Sequence, residues 1–166
     1  ALGAMLTGNS NVAIGGGDGT TSGALRSSTA AGQCVAIGTG AAGNAVVTTA
    51  ANGTVAVGYK SLTAFTSGGT NTAVGFQALM ANTIGHENTA LGYNALLTNV
   101  DGDSNTAIGM EALKIYEPAD GVGGNTAVGY QAGDALTTGN GNTLIGRRTD
   151  ASPGGGANQS EISNAA

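Results

Sequence analysis

A nine-residue phrase with a fixed order of polar, small and apolar positions returns along most of the chain. It reads NTAVGFQAL at 71–79, NTALGYNAL at 88–96 and NTAIGMEAL at 105–113, so successive copies follow one another with a period of seventeen. The glycine that ends the NTAxG part of the phrase recurs at Gly15, Gly38, Gly58, Gly75, Gly92, Gly109, Gly129 and Gly146. The differences between the numbers of successive repeat glycines are 23, 20, 17, 17, 17, 20 and 17. A fixed period of this length predicts stacked repeats, with insertions in three of them.

Bulky and small side chains alternate within the phrase, which indicates a β-strand with two unlike faces. One face carries Thr or Val at the second position, and both residues favour extended chain. The same face carries an aliphatic residue at the fourth position and, after the glycine, a Tyr, Phe or Met in most copies. The opposite face carries Asn, Ala and Gly, which allow another backbone to approach closely, so we predict that this small face meets a neighbouring chain. The aliphatic fourth position is then predicted to form the repeat core, at Ile14, Ile37, Val57, Val74, Leu91, Ile108, Val128 and Ile145.

The residues between two phrases favour turns, because they are rich in Asn, Gly and Thr. Seventeen residues fit one turn of an all-β fold, a parallel β-roll or β-solenoid with two short strands and two turns per unit, stacked about 4.8 Å apart. Residues 1–166 then form a single repeat region of about eight turns, with partial copies at both ends. One further period after Gly146 ends at Ser163, which predicts a degenerate ninth copy. Since both ends look like parts of a repeat, we expect the segment to be an excerpt of a longer fibre protein.

The composition argues against several classes of protein. With 31 Gly, 4% aromatic residues and no Trp, the chain lacks the large side chains from which a conventional core is built. Its formal net charge of −5 at pH 7 argues against a broad basic surface for nucleic acid. No apolar run is as long as a membrane-spanning helix requires, so no span is predicted in this segment. A single cysteine allows no disulfide within the chain.

The N-terminal copies resemble a known family. NVAIG at 11–15, CVAIG at 34–38 and TVAVG at 54–58 resemble the SVAIG signature of YadA-like head repeats, which belong to trimeric autotransporter adhesins. The longer NTAVGFQAL form is also similar to repeats in phage tail-fibre proteins. The resemblance covers the chain from about residue 3 to residue 163, although the YadA-type period is usually shorter than the period of this chain. It implies a left-handed β-roll, a homotrimer, and an extracellular location on a cell surface or in a virion tail fibre.

The resemblance leads us to expect a structural or adhesive fibre segment that supports attachment to a host or surface, with no enzymatic activity and no cofactor. An ice-binding or other surface-binding β-solenoid is the first alternative, because Thr recurs at the second position from Thr72 onward. Alternation of this Thr with Val suggests burial, and an inward or outward Thr column would separate these two functions. A hexapeptide-type acyltransferase is a further alternative, but 17 is not a multiple of six and the only histidine, His86, has no supporting context.

Few side chains suggest chemistry, and each also has a structural explanation. His86 lies in a predicted turn, where a solvated histidine is expected. Cys34 stands where other copies have Asn, so it is either a small buried residue or a reactive thiol. Glu111 and Glu117 have no spacing that identifies a catalytic pair. We therefore predict no catalytic site.

One acidic and two glycine-rich stretches resemble ligand-binding loops only in part. DGDSN at 101–105 has the spacing that opens a calcium-binding loop but lacks the Gly and the Glu that such a loop needs further on. GGGDG at 15–19 matches a nonapeptide calcium repeat once, whereas those sites need tandem copies. GTGAAGNA at 38–45 lacks the Lys and the long helix of a phosphate-binding loop. No metal or cofactor site is predicted.

The insertion between Gly109 and Gly129 concentrates charged and aromatic residues. It contains KIYEPADG, which brings together Lys114, Tyr116, Glu117, Pro118 and Asp120. An exposed Tyr offers contact area, and Pro limits the freedom of a loop. We hypothesise that this loop is a lateral contact site for a glycan, a receptor or a neighbouring fibre. The alternative is a tolerated insertion that packs on its own turn.

Overall fold

The computed structural model describes residues 10–17, 23–25, 32–43, 52–118, 121–151 and 156–163. This part of the chain contains nine β-strands: β1 Val12–Ile14, β2 Val35–Ile37, β3 Val55–Val57, β4 Thr72–Val74, β5 Thr89–Leu91, β6 Thr106–Ile108, β7 Thr126–Val128, β8 Thr143–Ile145 and β9 Ser160–Ile162. Each strand pairs in parallel with the next one, so the sheet has the order β1 to β9. The fold is an all-β parallel β-solenoid with roughly 17 residues per turn, as the repeat period predicts.

Equivalent positions of successive copies lie side by side in the sheet. The Ala of β4 pairs with the Ala of β5, and β1 keeps the same register with β2 across the longest step between repeat glycines. Ile145 pairs with Ile162, so the degenerate ninth copy predicted near Ser163 is confirmed as β9. The insertions therefore lie in the connections and leave the strands in phase.

The described turns contain one strand each, so the prediction of two strands per turn is wrong. Much of the remainder of a turn consists of tight bends in which non-glycine residues adopt left-handed backbone, as Gln77 and Leu79 do with φ of 54° and 51°. Left-handed backbone is costly for such residues, and it breaks the extended run that a second strand would need. Backbone hydrogen bonds between turns nevertheless continue through the bends, and the Leu79 N–H donates to the Ala95 carbonyl at 3.0 Å.

The small face of the strands lies inside the solenoid, and the bulky face lies outside. The Ala at the third position is completely buried from β2 to β7. It belongs to one core cluster with a second buried column, Leu62, Leu79, Leu96 and Leu113. The fourth position faces outward instead, and Leu91 is 45% exposed. The close-packed interior of a single narrow turn already holds the Leu column and, in some turns, a further large residue such as Phe65 or Tyr116. It therefore has room for Ala at most strands, but not for a bulky strand face as well.

The predicted repeat core is therefore wrong within one chain. Outward side chains occupy its eight positions, Ile14, Ile37, Val57, Val74, Leu91, Ile108, Val128 and Ile145, and none of them is among the buried residues. The prediction that the small face meets a neighbouring chain is wrong for the same reason, because this face is enclosed by its own turn.

The repeat glycines hold adjacent turns of the same chain close together. Their φ angles lie between 126° and 145°, in a region that L side chains rarely adopt. A Cβ added to Gly75 would also collide with the carbonyl group of Gly92, one turn further on. The close backbone approach predicted at this glycine is thus confirmed, but it occurs between turns rather than between chains.

A ladder of buried asparagines runs along the solenoid immediately before the strands. We call it the Asn ladder, and it consists of Asn71, Asn88, Asn105, Asn125 and Asn142. The Oδ1 atom of each member accepts the backbone N–H of the next at 2.9 to 3.1 Å. The Nδ2 atom of Asn88 also donates to the Gly102 carbonyl at 2.7 Å. A side chain that both accepts and donates satisfies buried groups of two turns at once, which explains why Asn opens the phrase.

Candidate functional surfaces

An apolar strip runs along the outside of the solenoid. We call it the outer strip, and it consists of the fourth-position residues from Ile14 to Ile162 together with Tyr59, Phe76, Tyr93, Met110 and Tyr130. The last four of these residues are between 38% and 45% exposed. Soluble monomers rarely expose a contiguous apolar patch larger than a few hundred Å², and a larger patch indicates an interaction surface. The outer strip is therefore the main candidate surface of this chain.

The register of the sheet also orders the aromatic residues of the outer strip. The ring centroids of Tyr59 and Phe76 are 5.2 Å apart, as are those of Phe76 and Tyr93, and the rings are nearly parallel. The Nζ atom of Lys60 lies 5.2 Å from the centroid of the Tyr59 ring. The rings stack because the turn spacing places the same position of the phrase one turn apart.

The Thr column lies on the outside as well. Its members, Thr72, Thr89, Thr106, Thr126 and Thr143, pair in register and are half-buried. They point to the same side of the sheet as the fourth-position residues, so the suggestion that alternation with Val means burial is wrong within one chain. An outward column is the arrangement that an ice-binding surface would need.

The third insertion packs on its own turns rather than projecting from them. Tyr116 is completely buried rather than exposed, and its hydroxyl donates to the Gly139 carbonyl at 2.9 Å. Burial raises the pKa of Tyr116 to about 12. Pro118 is buried against Gly102 of the preceding turn. Tyr116 therefore offers no exposed ring for a lateral contact.

The charged residues of the insertion also have partners within the chain. A carboxylate oxygen of Glu117 accepts the Val100 N–H at 2.7 Å. The Nζ atom of Lys114 lies 2.8 Å from a carboxylate oxygen of Glu111, and this hydrogen bond lowers the pKa of Glu111 and raises that of Lys114. Asp120 lies outside the described residues. Glu111 and Glu117 thus have separate partners and do not form a catalytic pair.

The position of Tyr116 follows a column that the sequence interpretation missed. Counting seven residues from the repeat glycines gives Phe65, Asn82, Asn99, Tyr116 and Leu136, all of which are buried. This count is the signal in the sequence that Tyr116 occupies the position equivalent to Phe65, inside its turn.

The two candidate nucleophilic or basic side chains are not brought together. Cys34 precedes β2 and is buried, and this burial raises the pKa of its thiol. A raised pKa favours the unreactive protonated thiol. His86 precedes β5, and its Nδ1 atom accepts the Gly69 N–H at 3.0 Å. The interpretation of Cys34 as a small buried residue is confirmed by its exposure of 1%.

The stretches that resemble ligand-binding loops are used in other ways where the structure describes them. In DGDSN, Asn105 belongs to the Asn ladder, and the Asp103 carboxylate accepts the His86 N–H at 2.7 Å. Parts of GGGDG and GTGAAGNA lie outside the described residues. Within the described ranges, no three or more His, Cys, Asp or Glu side chains are grouped as a metal site would need.

A cleft of about 400 Å³ opens beside the third insertion. We call it the side cleft, and it is lined by Ile84, His86, Asp101, Asp103 and Gly121. The Oδ1 atom of Asp101 is buried and has no hydrogen-bond partner among the described residues. The sequence interpretation missed this grouping, although the period contains its signal. Ile84 and Asp101 are one period apart, as are His86 and Asp103, so each pair occupies the same corner of adjacent turns.

In comparisons with known proteins, no family model, no curated protein and no solved structure matches the chain. No helix in the described ranges is long and apolar enough to cross a membrane.

Proposed function

We propose that this chain is a structural and adhesive segment of a trimeric extracellular fibre, a surface adhesin or a tail fibre, that supports attachment to a host or surface. The observation that carries the proposal is the outer strip, which accompanies the sheet from β1 to β9. Removal of apolar surface from water contributes about 25 cal/mol per Å². Because every turn adds outward apolar residues, the stabilisation available from association grows with the number of turns. This property suits a long, thin assembly.

Other copies of the same chain are the partners that match the outer strip best. The outward positions recur in every turn, so parallel copies can pack their strips against one another in register, turn by turn. A closed ring of copies around a common axis covers all the strips at once, as closed symmetry does in most oligomers. The number three and the left-handed winding come from the resemblance to YadA-like head repeats. The correction of the inner and outer faces supports this assembly, since it moves the bulky residues to where partner chains can cover them.

Light scattering coupled to gel filtration tests the assembly. At micromolar concentration we expect a mass three times that of the 15.8 kDa chain. Leu91→Asp places a charge in the outer strip and should shift the mass towards that of the single chain, because an unpaired charge is costly to bury. Thr138→Asp is the matched control, because Thr138 is exposed in a turn away from the strip. A folded monomer at this concentration would contradict the proposal.

A second function is favoured by the outward Thr column. Five Thr residues in register, one per turn, could order water as a surface-binding or ice-binding solenoid does. The observation is weaker than the outer strip, because the adjacent outward column is aliphatic and uneven in size rather than a second row of Thr. Thermal hysteresis of the purified chain is the test. A freezing-point depression that is lost in Thr106→Leu would favour ice binding over the fibre.

A further inference from the structure

We infer that the side cleft is a binding site for a neutral saccharide ring. The inference deepens the proposed adhesive function and rests on it for its biological setting. The volume of about 400 Å³ lies within the range of small-molecule sites in proteins. The lining combines one apolar side chain, one imidazole and two carboxylates from neighbouring turns. The chemistry of these groups defines the ligand class.

His86 supplies a hydrogen-bond donor. Its Nδ1 atom accepts the backbone N–H of Gly69 at 3.0 Å, so the neutral ring carries its hydrogen on Nε2. This tautomer presents Nε2 as an N–H group, and an N–H group does not ligate a metal ion. A ligand of the side cleft that contacts this N–H group therefore offers an acceptor to His86.

Asp101 and Asp103 supply hydrogen-bond acceptors. The Oδ1 atom of Asp103 accepts the backbone N–H of His86 at 2.7 Å, which fixes this carboxylate beside the imidazole. Its Oδ2 atom has no hydrogen bond within the described part of the chain. The Oδ1 atom of Asp101 is buried without a partner there, and a buried acceptor without a donor is unfavourable. The Oδ2 atom of Asp103 and the Oδ1 atom of Asp101 are therefore the acceptors that a ligand hydroxyl can satisfy.

A hydroxylated ring can accept a hydrogen bond from His86 and donate hydrogen bonds to Asp101 and Asp103. Simpler ligands can do only one of the two. A metal ion offers no acceptor to the His86 N–H, and an amine offers donors alone. An anion is repelled by the two carboxylates. Sugar hydroxyls donate and accept, and the C–H face of the ring can pack on Ile84, which is 49% exposed. Carboxylate, imidazole and aliphatic side chains together therefore fit a neutral sugar better than a metal ion, an amine or an anion.

The experiment measures binding of a panel of neutral sugars to the complete chain. The panel contains glucose, galactose, mannose, N-acetylglucosamine and their common disaccharides, and saturation-transfer NMR followed by titration detects binding. We expect at least one sugar to bind and to shift the His86 ring resonances. Ile84→Ser and Asp101→Asn should each weaken that affinity about tenfold or more, a change of about 1.4 kcal/mol per factor of ten.

Two control variants separate the side cleft from its surroundings. Val100→Ser removes an exposed aliphatic side chain that does not line the cleft, and Glu87→Gln removes an exposed carboxylate outside it. Both should bind sugar as the parent does. Failure of every sugar to bind, equal binding by all four variants, or binding of calcium chloride alone would each overturn the inference. The mass of the assembly is measured separately from sugar binding. A monomer that binds sugar would contradict only the proposed fibre, and a trimer that binds no sugar would contradict only the sugar site.

Discussion

The inner and outer faces of the sheet obey different rules, although their residues alternate along the same three-residue strands. On the inner face, the third position is Ala from β2 to β7, completely buried and without variation. On the outer face, the fourth position varies among Ile, Val and Leu, and the second position changes from Val to Thr. The inside of a turn has a fixed volume set by one chain, whereas the outside adapts to whatever covers it. Constancy of size, rather than bulk, thus identifies the inner face of this sheet.

The one change among the buried third positions supports this rule. Leu144 stands in β8 where β2 to β7 have Ala, and Gly133 stands in the preceding turn where Leu62, Leu79, Leu96 and Leu113 recur. A Cβ added to Gly133 would lie 3.1 Å from a methyl carbon of Leu144. The large residue therefore fills the space that the missing Leu leaves, and the volume inside the turn is conserved.

The largest expected difference in stability between the two faces comes from introducing an Asp at one or the other of two neighbouring residues of β6. Ala107→Asp buries a carboxylate in the interior, which should cost several kcal/mol and unfold the surrounding turns. Ile108→Asp places the same charge outside, so the hydrogen bonds within the chain should persist while the mass of the assembly falls. Hydrogen exchange of β5 to β7 and light scattering measure the two effects. Loss of protection in Ile108→Asp with an intact Ala107→Asp would reverse the assignment of the faces.

A double-mutant cycle tests whether the inside of a turn has a fixed volume. Leu144→Ala should destabilise by about 2–5 kcal/mol because it leaves a cavity. Gly133→Leu should destabilise by about 1–3 kcal/mol because it overpacks the same space. The double variant restores the arrangement of the other turns and should be more stable than Leu144→Ala alone. Urea unfolding of the four proteins gives the coupling energy, and simple additivity would show that the two positions do not share a volume.

A smaller difference in stability is expected between a substitution in the buried Asn ladder and one at the outward residue that follows it. Asn105→Ala removes the acceptor of the Asn125 N–H and the amide that bonds Asn88, so it should cost about 1–3 kcal/mol. Thr106→Ala changes the next residue, which faces outward, and should cost less than about 1 kcal/mol in a dissociated chain. Thermal melting of the two variants makes the comparison. Equal melting temperatures would mean that the ladder adds nothing beyond backbone pairing.

The smallest effect concerns pH and the buried Tyr116. Burial raises its pKa to about 12, above the ordinary value of about 10 in an unfolded chain. The contribution of its protonated hydroxyl is therefore fully present below pH 10 and is lost as pH rises through about 12. Tyr116→Phe lacks this contribution, so its stability should fall less over that interval. Titration of phenolate absorbance in the parent and the variant checks the value, and an ordinary pKa for Tyr116 would place the side chain outside the turn.

The period made much of this fold predictable, because parallel in-register stacking places equivalent residues side by side. Strand phase and the degenerate copy at β9 followed from counting residues. The close approach at the repeat glycines followed from the small face of the strand, although the sequence suggested a neighbouring chain rather than the next turn. The choice of the inner face did not follow, since alternation shows that two faces differ but not which of them is enclosed. Bulk suggested the wrong face, because the large buried residues of a turn, such as Leu79 and Phe65, lie outside the strands and leave room only for Ala at most strands.

In the candidate surfaces, too, some features follow from the repeat period and others do not. The composition of the insertion suggests a loop, whereas the distance of Tyr116 from the repeat glycine places it in the same buried column as Phe65 and Leu136. The side cleft joins residues that are one period apart, so the sequence contained their proximity. Its depth could not be predicted, because it depends on how the insertion folds onto the preceding turn.

The central claim is that Ala faces the interior of its own turn while the fourth position faces other copies of the chain. Isotope-filtered nuclear Overhauser spectra of an assembly prepared from mixed labelled and unlabelled chains test it most directly. We expect interchain contacts from the methyl groups of Val74, Leu91 and Ile108, and intrachain contacts alone from the methyl group of Ala107. Interchain contacts from Ala107, with none from Ile108, would contradict the account.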